Sequence, residues 1–98
     1  MNFLVVGTNH KYSPIELRER ISFSKKRIKD ALNFLKQSRV LEGAIILSTC
    51  NRVEIYASTR CLDQAESQII DFISRYHEIN KARLSPYLYI YKGKRAIR

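Results

Sequence analysis

The chain opens on an apolar run, Phe3-Leu4-Val5-Val6, that ends at Gly7-Thr8. A short apolar run closed by glycine predicts a strand over residues 3–8. Asn9-His10-Lys11-Tyr12 follows as a polar loop. Ser13-Pro14-Ile15-Glu16 has the form of a capping box with proline at the first helical position, which predicts a short helix to about Ile21. Ser24 then caps a second helix. Its apolar residues Ile28, Ala31, Leu32 and Leu35 fall at i, i+3, i+4 and i+7, one stripe of an amphipathic helix. Residues 44–49 and 53–59 read as the second and third strands, the first an apolar run, the second alternating. Asp63 is placed to cap a third long helix with the stripe Ile69, Ile73 and Tyr76, flanked by Ile70 and Phe72. Pro86 breaks the chain, and Tyr87-Leu88-Tyr89-Ile90-Tyr91 is a strand by composition. The order β-α-α-β-β-α-β predicts an α+β sandwich of ferredoxin-like type, with helices on one face of a four-stranded, mainly antiparallel sheet.

Charge adds a second layer. Eighteen basic against nine acidic residues leave the 98-residue chain at +9. Such an excess suits a polyanionic partner, and it also suits a solubilising surface. Lys25, Lys26, Arg27 and Lys29 crowd the first turns of the second helix, where cations oppose the helix dipole. That local cost suggests that these charges serve a purpose other than helix stability. No apolar run approaches the ~20 residues of a membrane span, and the first residues read as a strand instead of a signal peptide. A cytoplasmic protein is expected. Composition is that of a folded domain, 45% hydrophobic with three Gly and two Pro. The tail from Tyr89 to Arg98 ends in what looks like the start of a helix with nothing to pack on, so a truncated chain is expected.

The candidate chemistry lies at Ser48-Thr49-Cys50-Asn51-Arg52, between the second and third strands. A cysteine nucleophile needs thiolate character, which neighbouring positive charge or backbone N–H groups supply. Cys50 has Arg52 two residues on, and a strand end lets its sulfur face a cleft. Arg52 carries a fork of donors suited to a carboxylate. Thr49 and Asn51 add hydrogen bonding for a polar substrate. A lone cysteine can equally be a small apolar filler, with Arg52 a surface charge. A phosphatase loop needs Arg six positions after the thiol, where Tyr56 stands. A protease needs a partnered His. His77 lies beside the third-helix stripe and reads as a flank or core histidine, and His10 lies in the first loop with its role open. Cys50 and Cys61 make neither a disulfide framework nor a CxxC pair. No residues have metal-ligand spacing, and neither GxGxxG nor a P-loop occurs.

Together these residues resemble the N-terminal catalytic domain of glutamyl-tRNA reductase. One segment is Gly7-Thr8-Asn9-His10-Lys11-Tyr12-Ser13-Pro14 with Leu17-Arg18-Glu19-Arg20-Ile21-Ser22-Phe23. The most specific is Leu47-Ser48-Thr49-Cys50-Asn51-Arg52-Val53-Glu54-Ile55-Tyr56, and Tyr76-His77 with Leu88-Tyr89 adds a weaker match. The resemblance implies that Cys50 attacks the glutamyl ester of glutamyl-tRNA to form a thioester, and that Thr49, Asn51 and Arg52 line the glutamate pocket. NADPH hydride then releases glutamate-1-semialdehyde for tetrapyrrole synthesis. It further implies a homodimer through a C-terminal domain and the downstream aminomutase as a partner. Lys25, Lys26, Arg27 and Lys29 are candidate tRNA contacts, as are Lys92, Lys94 and Arg95; these follow from charge. Tyr12 and Ser13 stand where the family usually has smaller or less polar residues. The family pattern continues past Arg98 with a catalytic histidine, an NADPH-binding Rossmann domain and a helical dimerisation domain, so this chain alone is not expected to complete the reduction. The alternative is a small basic RNA-binding module without catalysis, for which Tyr87, Tyr89 and Tyr91 on one strand face would be a stacking platform.

Overall fold

A computed structural model of the chain describes residues 2–94. The elements run β1 (Asn2–Asn9), α1 (Ile15–Ile21), α2 (Lys25–Lys36), β2 (Leu41–Ser48), β3 (Arg52–Thr59), α3 (Leu62–Tyr76), α4 (Lys81–Leu84), a 3-10 turn (Ser85–Tyr87) and β4 (Tyr89–Lys94). The sheet order is β2-β3-β1-β4 and every neighbouring pair is antiparallel. The predicted ferredoxin-like sandwich is therefore what forms. β1 and β2 are linked through α1 and α2, with β3 inserted between them, a split βαβ arrangement.

Alternation along the strands explains where the core lies. Leu4 and Val6 of β1, Ile46 of β2 and Val53, Ile55 and Ala57 of β3 are buried together with Ala31 and Leu35 of α2 and Ala65, Ile69, Phe72 and Ile73 of α3. The opposite sheet face leaves Phe3, Ile45, Leu47, Tyr56 and Tyr91 exposed. One charged residue on that face, Glu54, is nonetheless buried. Its carboxylate accepts hydrogen bonds from Tyr89 Oη at 2.5 Å and Tyr56 Oη at 2.8 Å, and the Arg52 guanidinium lies 3.6 Å away. Burial pushes the Tyr89 hydroxyl up, with the Glu54 bond second, and the bond to Glu54 raises Tyr56. Both stay protonated and able to donate.

Several boundaries differ from the pattern reading. Ser24 caps α2 as expected, accepting from Arg27 N. Ser13 does not cap α1: the N-cap is Pro14, and the Ser13 hydroxyl donates to Asn9 O at 3.3 Å. The N-cap of α3 is Cys61, with Asp63 already in its first turn. Asn80 caps the unanticipated α4 by accepting from Ala82 N at 2.8 Å. The proline-containing turn takes Tyr87 out of the last strand, so only Tyr89 and Tyr91 share its open face. The tail beyond Lys94, including the expected helix start, lies outside the described residues.

His77 is a flanking histidine, half-buried at the C-terminal end of α3 and packed on aromatic rings. It sits edge-on to Phe23 at 4.6 Å and to Tyr76 at 5.2 Å, and its buried Nε2 has no hydrogen-bond partner among the described residues. Burial lowers it to about 4 from the ordinary 6.5, and the charges of Arg27 and Arg20 add to the effect. The neutral form is favoured in the fold, so the unfolded chain binds more protons between those two values. Stability from this residue is complete above pH 6.5 and falls as pH drops toward 4. His77→Phe is expected to flatten that slope, read as urea midpoints at pH 7 and pH 5. An unchanged slope would assign the acid sensitivity elsewhere.

Candidate active site at the β2–β3 corner

The corner is built by Thr49. Its backbone N–H donates to Arg52 O at 2.8 Å, and its Oγ1 accepts from the N–H groups of Asn51 and Arg52, both at 3.2 Å. A hydroxyl satisfying two turn donors is the local reason that threonine can close this reversal. Cys50 sits at its tip, exposed and unbridged. Cys61 is also free but lies at the other end of the sheet, just past Thr59, which pairs with Asn2 while Arg52 pairs with Asn9.

The corner is not isolated. His10 N donates to Asn51 O at 2.9 Å, so the β1–α1 loop and the Cys50 turn share one edge. This places the His10 loop, whose position the pattern left open. Phe23 N donates to Ser48 Oγ at 2.9 Å, which brings the start of α2 beside the corner.

The residue that ties these parts together is Arg18, to which the sequence reading gave no role. It is only 8% exposed. Its Nε donates to Cys50 O at 3.3 Å and its Nη1 to Ser13 O. A buried guanidinium needs such acceptors, and two carbonyls from two loops use its fork geometry. The available signal was a basic residue at a helix position one turn before the buried Ile21, which an amphipathic pattern does not explain. We expect Arg18→Met to cost about 2 kcal/mol, because the Ser13 carbonyl stays buried while losing its donor. Arg18→Lys should recover only part, since one ammonium does not span both acceptors. Urea midpoints of the three proteins measure this; equal midpoints for Arg18→Lys and the parent would contradict it.

Beside Cys50 on the helix side is a cavity of about 340 Å³, lined by Ile15, Arg18, Glu19, Ser22, Phe23, Ser48, Thr49 and Cys50. Thr49 and Cys50 are thus brought together. Arg52 points elsewhere: it begins β3 on the open face beside Glu54, with its side chain 48% exposed. Asn51 is exposed at the turn and offers its carbonyl to His10. Of the two arginines at this corner, Arg18 shares the Cys50 cavity on the helix side and bonds the Cys50 carbonyl, while Arg52 lies on the open face beside Glu54. Lys25, Lys26, Arg27 and Lys29 are all exposed near this end. Lys92 is engaged with Glu66 at 2.8 Å and Asp63 at 3.4 Å. Lys94 ends β4, and Arg95 lies outside the described residues. Among the described residues no helix is long and apolar enough to cross a membrane.

Residues 6–98 match the family model for the glutamyl-tRNAGlu reductase N-terminal domain. The chain is 46% identical over 89 residues to the glutamyl-tRNA reductase of Pelotomaculum thermopropionicum, covering 91% of this chain and 20% of that protein. It is 42% identical over a 104-residue alignment to the glutamyl-tRNA reductase of Thermodesulfovibrio yellowstonii, covering 99% and 24%. The solved glutamyl-tRNA reductase of Methanopyrus kandleri superimposes with a TM-score of 0.61 at 28% identity, over 93% of this chain and 19% of that one. The chain thus spans about a quarter or less of the length of these relatives. With the Cys50 motif and all of the sheet but the first residues of β1 inside the matched region, the chain belongs to the glutamyl-tRNA reductase family, in its N-terminal domain.

Proposed function

We propose that this chain carries the acyl-transfer half of a glutamyl-tRNA reductase, with Cys50 as its nucleophile. The observation that supports it best is the exposed thiol on a turn held from behind by the buried Arg18. The Cys50 thiolate attacks the carbonyl carbon of the glutamyl ester. The tetrahedral adduct collapses, the bond from carbon to the ribose oxygen breaks, and that oxygen leaves with a proton. Glutamate remains on Sγ as a thioester, an acyl group that accepts hydride more readily than a carboxylate. Thr49 lines the cavity beside Cys50. Asn51 and Arg52, which lie outside that lining, meet the substrate from the exposed side of the turn, with Arg52 receiving a substrate carboxylate in exchange for its long 3.6 Å contact with Glu54.

NADPH supplies hydride in the family chemistry. Gly7, Gly43 and Gly93 all lie in strands, so no glycine-rich helix start suited to a dinucleotide occurs among the described residues. The reduction is therefore not assigned to them. A homodimer through a C-terminal domain, an aminomutase partner and a cytosolic location belong to the same proposal and rest on the family resemblance.

The test is mass spectrometry of the full-length protein after mixing with glutamyl-tRNA and no NADPH. A glutamyl adduct on the Cys50 peptide is expected, and an adduct on Cys61 alone would overturn the assignment. A module that only binds RNA would form no adduct and would hold charged and uncharged RNA equally.

A further inference from the structure

A second concavity, of about 390 Å³, runs between α2 and α3, lined by Phe34, Gln68, Asp71, Phe72, Arg75 and Tyr76. Its floor is a series of rings. Phe34 and Phe72 lie 5.6 Å apart, Phe72 and Tyr76 5.2 Å, and the planes of each pair tilt by 30° and 34°. Phe34 is 62% exposed, so it contributes little to the core and presents most of its ring to the groove and solvent.

The rim is cationic. Arg27 places its guanidinium 4.6 Å over the Tyr76 ring and donates Nε–H to the Tyr76 hydroxyl at 3.3 Å. Arg75 lines the groove, and Lys25, Lys26 and Lys29 are exposed on the first turns of α2. Among the described residues none of these five cations has a salt-bridge partner. The acid in the groove, Asp71, is held by Lys81.

The groove also adjoins the thiol. Phe23 lines the Cys50 cavity, and its ring also packs with two residues of the groove, parallel to Phe72 at 6.2 Å and tilted to Tyr76 at 5.4 Å. One aromatic ring separates the two concavities. Rings flanked by unpaired cations suit an unpaired nucleotide, whose base offers a π face and whose phosphates need positive charge.

We propose that the α2–α3 groove is a base-stacking subsite for an unpaired nucleotide of the RNA whose ester Cys50 attacks. Phe34 is the stacking platform, and Arg27 and Arg75 meet the phosphates. This rests on the acyl-transfer reading above. It also gives the cations at the start of α2 the purpose that their cost to the helix calls for.

The test uses full-length protein and glutamyl-tRNA with 2-aminopurine in its unpaired acceptor end. Phe34→Leu keeps an apolar side chain and removes the aromatic face; Phe34→Trp enlarges that face. Phe34→Leu should raise KM for the RNA roughly tenfold with kcat little changed, and abolish 2-aminopurine quenching. Phe34→Trp should retain both. Arg27→Gln with Arg75→Gln should lower the slope of log affinity against log salt. Wild-type KM and quenching in Phe34→Leu would overturn the subsite while the Cys50 adduct still forms. Protection of Phe34 from hydroxyl-radical labelling in the RNA-free protein would also overturn it, because another part of the protein would then cover the groove. Loss of the Cys50 adduct with Phe34 intact would instead strike the acyl-transfer reading.

Discussion

Replacing Cys50 with serine in the full-length protein is expected to lower turnover at least about a thousandfold and to remove the acyl-enzyme. The exchange is nearly isosteric, and Cys50 is exposed at the tip of a turn whose hydrogen bonds come from Thr49, His10 and Arg18. None of those bonds uses the thiol, so folding should be untouched and the loss should be chemical. A serine hydroxyl lacks the thiolate fraction that makes cysteine nucleophilic near neutral pH, and no described hydrogen bond supplies Cys50 with a general base. Matching urea midpoints with collapsed turnover is the expected pair of results. Full turnover in Cys50→Ser would remove the nucleophile from this corner. A residual rate from the hydroxyl should be accompanied by an oxygen ester on residue 50, which the same mass spectrum detects.

The second large effect is on stability. Gly7→Ala should cost about 3 kcal/mol or more, at the upper end of overpacking penalties. Gly7 pairs with Glu54 across the centre of the sheet. A Cβ there would stand 2.4 Å from Val53 O, 2.7 Å from Glu54 Cγ and 2.9 Å from Glu54 Cα. Two of those atoms are backbone of a neighbouring strand, which moves only by opening the ladder. The third belongs to a side chain pinned by Tyr56 and Tyr89. The requirement is steric, since no glycine in the chain adopts a positive φ. Gly93→Ala is the control. Its added Cβ meets nothing within 4 Å, so its urea midpoint should be unchanged or slightly higher. If Gly7→Ala and Gly93→Ala unfold at the same urea concentration, close packing at Gly7 is not what this strand pair depends on. Because Arg52 leans on Glu54, partial survival of Gly7→Ala should also appear as a raised KM for the charged RNA.

The sheet and the long helices were legible because they rest on periodicity. The stripe Ile28, Ala31, Leu32, Leu35 faces the sheet from α2, and the Ile69–Ile73 stripe does so from α3. Misplaced features have local causes. Ser13 has the residue type of a cap, but its backbone is held by the turn from Asn9, and its hydroxyl follows. Tyr87 has strand composition, but the proline before it belongs to a 3-10 turn, and pairing starts only at Tyr89 opposite Gly7.

At the candidate site the division is sharper. Ser48–Arg52 was recognisable as a polar corner with a thiol because it is contiguous, and a turn's chemistry is encoded within its own residues. The same contiguity suggested that Cys50 and Arg52 act into one pocket. Arg52 instead opens β3 and obeys the two-residue alternation of a strand, which sends it to the face of Glu54. The guanidinium that does share the Cys50 cavity comes from Arg18, thirty-two residues earlier. His10 meets Asn51, and Phe23 meets Ser48, across similar separations.

The sequence by itself determined the element order, the buried stripes, the excess of positive charge and the identity of the thiol, because each is written in local spacing or residue type. Only the tertiary structure decided which side chains surround that thiol, that Arg18 shares its cavity while Arg52 turns to the opposite face, and that an aromatic groove with a cationic rim begins one ring away. Those relations depend on how strands far apart in the chain pair and how helices cross them, and no local pattern records distances of that kind.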